Sequence, residues 1–252
     1  MKNHRLNPTI SVITATYNAS KVLPGLIEAL RSQTDRDFEW IVVDGASTDG
    51  TVELIKAAND VVTKWVSETD CGIYHALNKA LGMATGEYYL VLGADDRLHS
   101  EAIARYREHA RQTQADIVTA LIERNGRIER HKPRWPWLYA HHAYVSEHSV
   151  GSLIRRSLHD RYGLYSRMYP IAADLVFLKT ACADPRTRLA RAECVAGTFG
   201  LSGTSRADRV GAICDYFRGQ FATERHQYFQ VLLFVLKVLK NARSMVRAAR
   251  GD

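Results

Sequence analysis

The 252-residue chain has few cysteines, only Cys71, Cys182, Cys194 and Cys214, and none form a CxxC pair. That spacing excludes a zinc ribbon and a dithiol redox motif. Scattered single thiols lead us to expect a reducing, cytoplasmic compartment. No apolar run approaches the roughly 20 residues that a bilayer-spanning helix needs. Residues 1–8 are polar, so no secretory h-region is read there. Internal repeats and low-complexity stretches are missing as well. With 46% hydrophobic and 24% charged residues the chain is neither disordered nor fibrous, and it is long enough to bury a sizeable core. Acidic residues are scarce at the C-terminal end: residues 218–252 hold seven Lys/Arg against Glu224 and Asp252, most of the formal net charge of +7. A basic end of this kind suits nucleic acid or an anionic membrane surface.

What is present is an alternation of strand and helix patterns. Residues 10–15, 38–43, 61–66, 88–92 and 116–124 read as buried strands. Residues 22–31, 51–58, 72–84 and 100–113 read as helices, with Ser20 as the N-cap of the first. After Arg124 the pattern becomes irregular, with a helix at 174–183 and a late strand at 192–199. Such alternation argues for βαβ units and a largely parallel sheet flanked by helices, an α/β architecture. Three strands end in polar groups: Thr14 and Thr16, Asp44, and Asp95. One polar strand end is ordinary. Three from neighbouring βα units can build one crevice at the carboxyl edge of the sheet, where open α/β folds bind ligands. The adjacent acids Asp95 and Asp96 repel each other unless a cation or a donor network lies between them. Hard oxygen ligands favour Mg²⁺ or Mn²⁺, which carry substrate phosphates. A solvated loop after a strand is the plain alternative.

Farther along, Arg134-Trp135-Pro136-Trp137 reads as a packing corner or as a platform for a stacked acceptor. His141, His142 and His148 cluster behind it. Residues 228–249 form a helical tail. At about 100° per residue, Val235, Leu239, Ala242, Val246 and Ala249 share one face, and Lys237, Lys240, Arg243, Arg247 and Arg250 the neighbouring one. Such a helix suits a membrane interface with its basic side toward anionic headgroups, or packing on the domain with that side in water.

Four motifs stand in order in the first part of the chain. They are Ser11-Val12-Ile13-Thr14-Ala15-Thr16-Tyr17-Asn18, Val43-Asp44-Gly45-Ala46-Ser47-Thr48-Asp49-Gly50-Thr51, Ser67-Glu68-Thr69-Asp70-Cys71-Gly72-Ile73-Tyr74-His75-Ala76-Leu77-Asn78-Lys79, and Ala84-Thr85-Gly86-Glu87-Tyr88 with Ala94-Asp95-Asp96. On these the chain resembles the family 2 glycosyltransferases of the GT-A fold, most strongly bacterial members that build polysaccharides and O-antigens. The likeness thins downstream to Glu147-His148-Ser149, Ala172-Ala173-Asp174 and the stretch from Phe199 to Gly203.

The resemblance implies an inverting, metal-dependent transfer of sugar from a nucleotide-sugar, UDP-linked, to a hydroxyl of a glycan or lipid-linked glycan. It implies nucleotide-sugar contacts from Thr14, Thr16, Tyr17, Asp44, Asn78, Lys79, Asp95 and His148. Asp95 and Asp96 would hold Mn²⁺ or Mg²⁺, and Asp174 would be the general base. Each has a plainer alternative: a turn for Asp44, packing for Tyr17, a helix-leading carboxylate for Asp96, an N-cap for Asp174 and a structural ring for His148. Two positions depart from the family pattern: Gly93 begins the acidic motif without a side chain, and Asp44 is followed by Gly45 instead of a second acid.

Two other classes are weighed. A nucleotidyltransferase making nucleotide-sugars needs a glycine-rich basic loop that Thr14-Ala15-Thr16-Tyr17-Asn18 lacks. A nucleic-acid binder would leave the four motifs unexplained, so no nucleic-acid partner is expected. The organisation read here is a GT-A domain over 9–205 and a helical basic segment over 206–252, placed peripherally at the inner face of the cell membrane.

Overall fold

The computed structural model of the chain describes residues 9–132, 135–200 and 208–250, without the side chains of Arg209 and residues 242–250. Arg134, the stretch 201–205 and the distal faces of the tail helix therefore lie outside the described residues.

Strands β1 (Ile10–Thr16), β2 (Phe38–Asp44), β3 (Lys64–Ser67) and β4 (Tyr88–Val91) form the parallel part of the sheet. Successive side chains of a strand point to opposite faces. Val12, Trp40, Val42 and Leu90 enter one core with α1 (Leu23–Arg31), α2 (Thr51–Ala57) and α4 (Ala102–Thr113). Ile13, Ile41, Val43 and Tyr89 enter the other with α3 (Ile73–Met83) and α7 (Ala173–Ala183). Burial on both faces is why β1, β2 and β4 read as continuous apolar runs, whereas β3, at the end of the sheet, is only partly buried, with Trp65 exposed.

Beyond β4 the sheet is mixed. β8 (Ser152–Arg155) runs antiparallel to β4 and to β6 (Ile117–Arg124). β9 (Leu189–Thr198) is parallel to β6 and carries β5 (Arg97–Leu98) antiparallel on its other edge, and β7 (Arg127–Glu129) makes a hairpin with β6. The order is β3-β2-β1-β4-β8-β6-β9-β5. Strand order reverses at β1, which has β2 on one side and β4 on the other. The switch-point crevice therefore opens at the carboxyl ends of β1 and β4.

Some local expectations change. Ser20 does not cap α1: its backbone N–H donates to Asp49 at 2.9 Å, and the helix begins at Leu23 with Pro24 in its first turn, where a missing N–H costs nothing. Residues 61–62 form a buried turn, not the start of β3. Asp96 does not lead a helix; β5 follows it.

The C-terminal elements are docked onto the sheet domain. α5 (Pro136–Tyr139) precedes β8, and α6 (Leu158–Tyr162) leads toward α7. α8 (Arg209–Thr223) buries Ile213, Asp215 and Gln220. Asp215 Oδ2 accepts the backbone N–H groups of Ile171 at 2.8 Å and Ala172 at 3.0 Å, just ahead of α7. α9 (Gln227–Arg250) stacks Phe234 on Phe217 with centroids 4.4 Å apart, and Gln230 Nε2 donates to the Trp137 carbonyl at 2.9 Å. Phe229 meets the Trp137 ring edge-on. The Trp-Pro-Trp loop is thus a packing corner for the tail. Among the described residues no helix is long and apolar enough to cross a membrane.

Candidate active site

The chain turns sharply where β4 ends. Asp96 N–H donates to the Gly93 carbonyl at 3.1 Å, and Gly93 N–H returns a bond to Asp96 Oδ2 at 2.6 Å. Asp96 Oδ1 accepts Gly200 N–H at 2.9 Å. The Asp96 side chain is fully buried, and burial pushes its carboxyl up to about 7 against the pull of those two N–H groups. Asp95 is half-buried. Two glycines frame the acids. A Cβ on Gly93 would lie 3.1 Å from Asp95 Oδ1 and 3.2 Å from Asp96 Oδ2, and one on Gly200 would overlap the Asp95 carboxylate. The departure at Gly93 thus gives the two carboxylates room to fold over the turn.

Asp95 lines a cavity of about 420 Å³ that also takes in His148 and Asp174. His148 Nδ1 accepts from Val150 N–H at 3.4 Å, which puts the proton of the neutral ring on Nε2. Burial holds this imidazole down to about 4, so its 3.8 Å approach to Asp96 Oδ2 is a contact of a neutral ring. Its ring packs on Phe199, centroids 4.0 Å apart.

Asp174 lies in the first turn of α7, where a helix dipole favours an anion. The N-cap position is Ala172, so the capping alternative for Asp174 does not hold. Asp174 Oδ1 accepts Leu175 N–H at 2.8 Å and the Tyr74 hydroxyl at 2.7 Å. That hydroxyl also lies 2.9 Å from the Ile171 carbonyl, so its single proton is shared. Burial raises the Asp174 carboxyl above the ordinary range even though these donors favour its charged form.

Thr14, Thr16, Tyr17 and Asp44 gather at the carboxyl ends of β1 and β2, and Asn78 and Lys79 lie on α3. Asp44 is fully buried and accepts four bonds: Thr16 Oγ1 at 2.9 Å, Ser47 N–H at 2.9 Å, Ser47 Oγ at 2.6 Å and Ser67 Oγ at 2.7 Å. Burial works against its charge, but the four donors win and hold the carboxyl below its usual range. A carboxylate has about four acceptor positions, so Asp44 is saturated by protein. Thr14 is buried and accepts the Trp40 indole N–H at 3.0 Å. Asn78 exchanges two bonds with the Tyr165 backbone, at 2.8 and 3.0 Å, and Lys79 pairs with Glu68. None of Thr14, Asp44, Asn78 and Lys79 reaches the cavity wall. Tyr17 is 70% exposed, which removes the packing alternative for its ring.

Among the described residues no group of three or more His, Cys, Asp or Glu is placed to hold a metal by itself. Mg²⁺ and Mn²⁺ in phosphate sites take one or two carboxylates and complete their shell with substrate oxygens and water. A half-buried Asp95 carboxylate on the wall of an open cavity fits that donor set. Asp96, with one backbone N–H on each oxygen, fits it less well.

A family model described as glycosyl transferase family 2 matches residues 11–169. The chain belongs to glycosyl transferase family 2. A PGL/p-HBAD biosynthesis glycosyltransferase of Mycobacterium tuberculosis is 29% identical over 187 residues, covering 71% of this chain and 71% of its own. A poly(ribitol-phosphate) beta-glucosyltransferase of Bacillus spizizenii is 30% identical over 125 residues, which cover 47% of this chain and 20% of its own. In fold, the glycosyltransferase resembles S. aureus TarS 1-349 in complex with UDP-GlcNAc, with TM-score 0.69 and 18% identity over 88% of this chain and 69% of that one. It also resembles a mannosyltransferase from Pyrobaculum calidifontis in complex with GDP-Man and Mn²⁺, with TM-score 0.63 and 19% identity over 97% of this chain and 79% of that one. The sheet and its flanking helices are those of the GT-A fold.

Several residues of the glycosyltransferase's site had no assigned role in the sequence. Asp70 stands beside Tyr17: a Cβ on Gly45 would lie 3.0 Å from Asp70 Oδ2 and 3.4 Å from Tyr17 Cδ2. The quoted third motif contains Asp70, so its signal was present. Asp215 and Tyr216 come from α8, in a stretch without a motif.

Proposed function

We propose that the chain is an inverting, metal-dependent glycosyltransferase that uses a UDP-sugar. The observation that carries this reading is the meeting of Asp95, neutral His148 and Asp174 in one cavity at the switch point of the sheet. Mn²⁺ or Mg²⁺ would be held by Asp95 together with diphosphate oxygens, and would supply Lewis-acid neutralisation of the charge on the departing diphosphate. Asp96 keeps the turn rigid through Gly93 and Gly200. Asp174 accepts the proton of the acceptor hydroxyl. The acceptor oxygen then bonds to the anomeric carbon from the face opposite the diphosphate. The carbon–oxygen bond to the diphosphate breaks, and its electron pair leaves with the phosphate. His148 Nε2–H donates to an oxygen at the reacting centre.

We assign the nucleobase to the gap between the exposed Tyr17 ring and Asp70 over Gly45. Asp44 acts there as a positioning residue, because its four bonds tie the ends of β1, β2 and β3 together. We group α8 with the catalytic domain and leave α9 as the basic appendage. The appendage exposes Tyr228 at 94%, Leu236 at 53% and Leu239 at 66% beside Lys240, which supports peripheral attachment to the anionic inner face of the cell membrane and a lipid-linked glycan acceptor.

The test is thermal shift with a panel of nucleoside diphosphates, with and without Mn²⁺, followed by sugar transfer. Stabilisation by UDP that needs the metal is expected. It should be lost in Asp95→Asn and kept in Asp174→Asn, while neither variant transfers sugar. Full transfer by both variants would refute the assignment.

A further inference from the structure

We infer that His141, His142 and Tyr216 form the acceptor subsite, and that the group it takes is an uncharged, hydroxyl-bearing ring. This deepens the transferase reading and rests on it. The cavity continues past Asp174 along α7 and reaches α8, where Ala172, Leu175, Ala212 and Tyr216 line it. The two imidazoles pack at a 42° tilt with centroids 3.9 Å apart, and Tyr216 lies 6.3 Å from one and 6.4 Å from the other. Lys237 of α9 sits 4.3 Å from the Tyr216 ring centroid and takes no part in lining the cavity. Three rings thus enclose one end of the space beside the proposed base.

The chemistry of this end is specific. His141 is 7% exposed, and its Nδ1 is buried without a hydrogen-bond partner among the described residues. Leaving such an atom unpaired is costly, so it is a ready partner for a ligand hydroxyl. His142 Nδ1 faces the Ser146 carbonyl at 3.4 Å. Burial lowers both imidazoles below their ordinary range, so neither carries charge at neutral pH. Lys179 pairs with Glu224 at 2.6 Å, Lys132 with Glu147 at 2.9 Å, and Arg124, the one Lys or Arg among the described lining residues, with Glu147 at 3.9 Å, while Lys237 lies over the Tyr216 ring outside the lining. A phosphate or carboxylate here would lose water and meet, among the described residues, no cation on the cavity wall that is not already paired with a carboxylate. A sugar ring would instead pack on the aromatic faces and present one hydroxyl to His141 and another to Asp174, and a phenol would pack the same way and offer its single hydroxyl to either.

The test uses the full chain and two substitutions, His141→Phe, which keeps a ring and removes Nδ1, and Ala212→Phe, which fills the space from a half-buried position on α8. Ligand-observed NMR titrations would use methyl glucopyranoside and phenol as uncharged probes, and the phosphate monoester of each as a charged one. Binding of UDP with Mn²⁺ is measured alongside. The wild type should bind an uncharged probe in preference to its phosphorylated form. Both variants should weaken that binding about tenfold with UDP binding unchanged. A response to glucopyranoside alone identifies a saccharide acceptor; a response to phenol alone identifies a phenolic one. Binding that is equal in wild type and variants, no binding of either uncharged probe, or preference for the phosphorylated probes would overturn the inference. Loss of UDP binding in the variants would overturn it too, since the subsite would then belong to the donor. Absence of UDP binding in the wild type would instead refute the transferase reading.

Discussion

Asp44 offers the sharpest separation between two roles for one carboxylate. As a reader of the nucleobase its loss would change which nucleotide binds. As the tie between three strand ends its loss would unfold the crevice. In Asp44→Ala the four donors from Thr16, Ser47 and Ser67 lose their acceptor at a fully buried position. Bonds to a charged acceptor contribute at least about 1.5 kcal/mol each, so outright loss of all four would cost about 6 kcal/mol or more. Three of the four donors are hydroxyls that can rotate toward other acceptors, which brings the expected loss to about 3–4 kcal/mol. Asp44→Asn keeps one carbonyl oxygen for the Ser47 N–H, and the hydroxyls facing its NH₂ group can turn to accept. Its cost should be only about 1 kcal/mol. Urea denaturation followed by far-UV circular dichroism reads both values, with the slope unchanged if the native state stays compact. The carboxyl is held below its unfolded value, so the stability it adds is present above the unfolded pKa and is lost as pH falls through the folded one. The gap between wild type and Asp44→Asn should therefore close below about pH 4. A loss of less than about 1 kcal/mol in Asp44→Ala, together with collapse of the preference for UDP over other nucleoside diphosphates, would refute the positioning role.

Other outcomes follow from the same geometry. The acid limb of the transfer rate should lie above the ordinary carboxylate range, because burial raises Asp174, and Tyr74→Phe should move it further up by removing a donor to the charged form; an unmoved limb in Tyr74→Phe rejects Asp174 as the base. Asp174→Asn should lower transfer about 100-fold or more with UDP binding intact, as read by turnover and calorimetry. Gly200→Ala should weaken metal-dependent UDP binding about tenfold with little change in melting temperature, because the added Cβ displaces the Asp95 carboxylate; unchanged binding would show that Asp95 is not a ligand. Leu236→Glu with Leu239→Glu on the exposed face of α9 should release the protein from anionic vesicles in a flotation assay, and undiminished flotation would reject the membrane role.

The parallel half of the fold was legible because β1, β2 and β4 are buried on both faces and so read as plain apolar runs between helical stripes. β5 and β7 were not, being two and three residues long, too short for any periodicity to register. β8 was lost because its length is set by pairing with β4 and β6, a long-range fact. At the site, Asp95 and Asp174 were singled out by motif, and both line one cavity. Thr14, Asn78 and Lys79 sit in equally recognisable motifs, yet their side chains bind Trp40, Tyr165 and Glu68. A motif marks residues that the fold needs near the ligand without saying whether they face it. The part played by α8 had no local signal, since Asp215 reaches α7 through backbone groups 44 and 43 residues away in the chain.

That last pairing has a consequence for when the enzyme becomes competent during its synthesis. Every strand of the nucleotide half is made early and pairs with near neighbours. The turn that orients Asp174 is tied down by Asp215, which leaves the ribosome much later. If Asp174 is the base proposed above, a nascent chain would fold its nucleotide half before that carboxylate is held in place. With the roles proposed above, a product truncated just before α8 should bind nucleotide-sugar without turning it over.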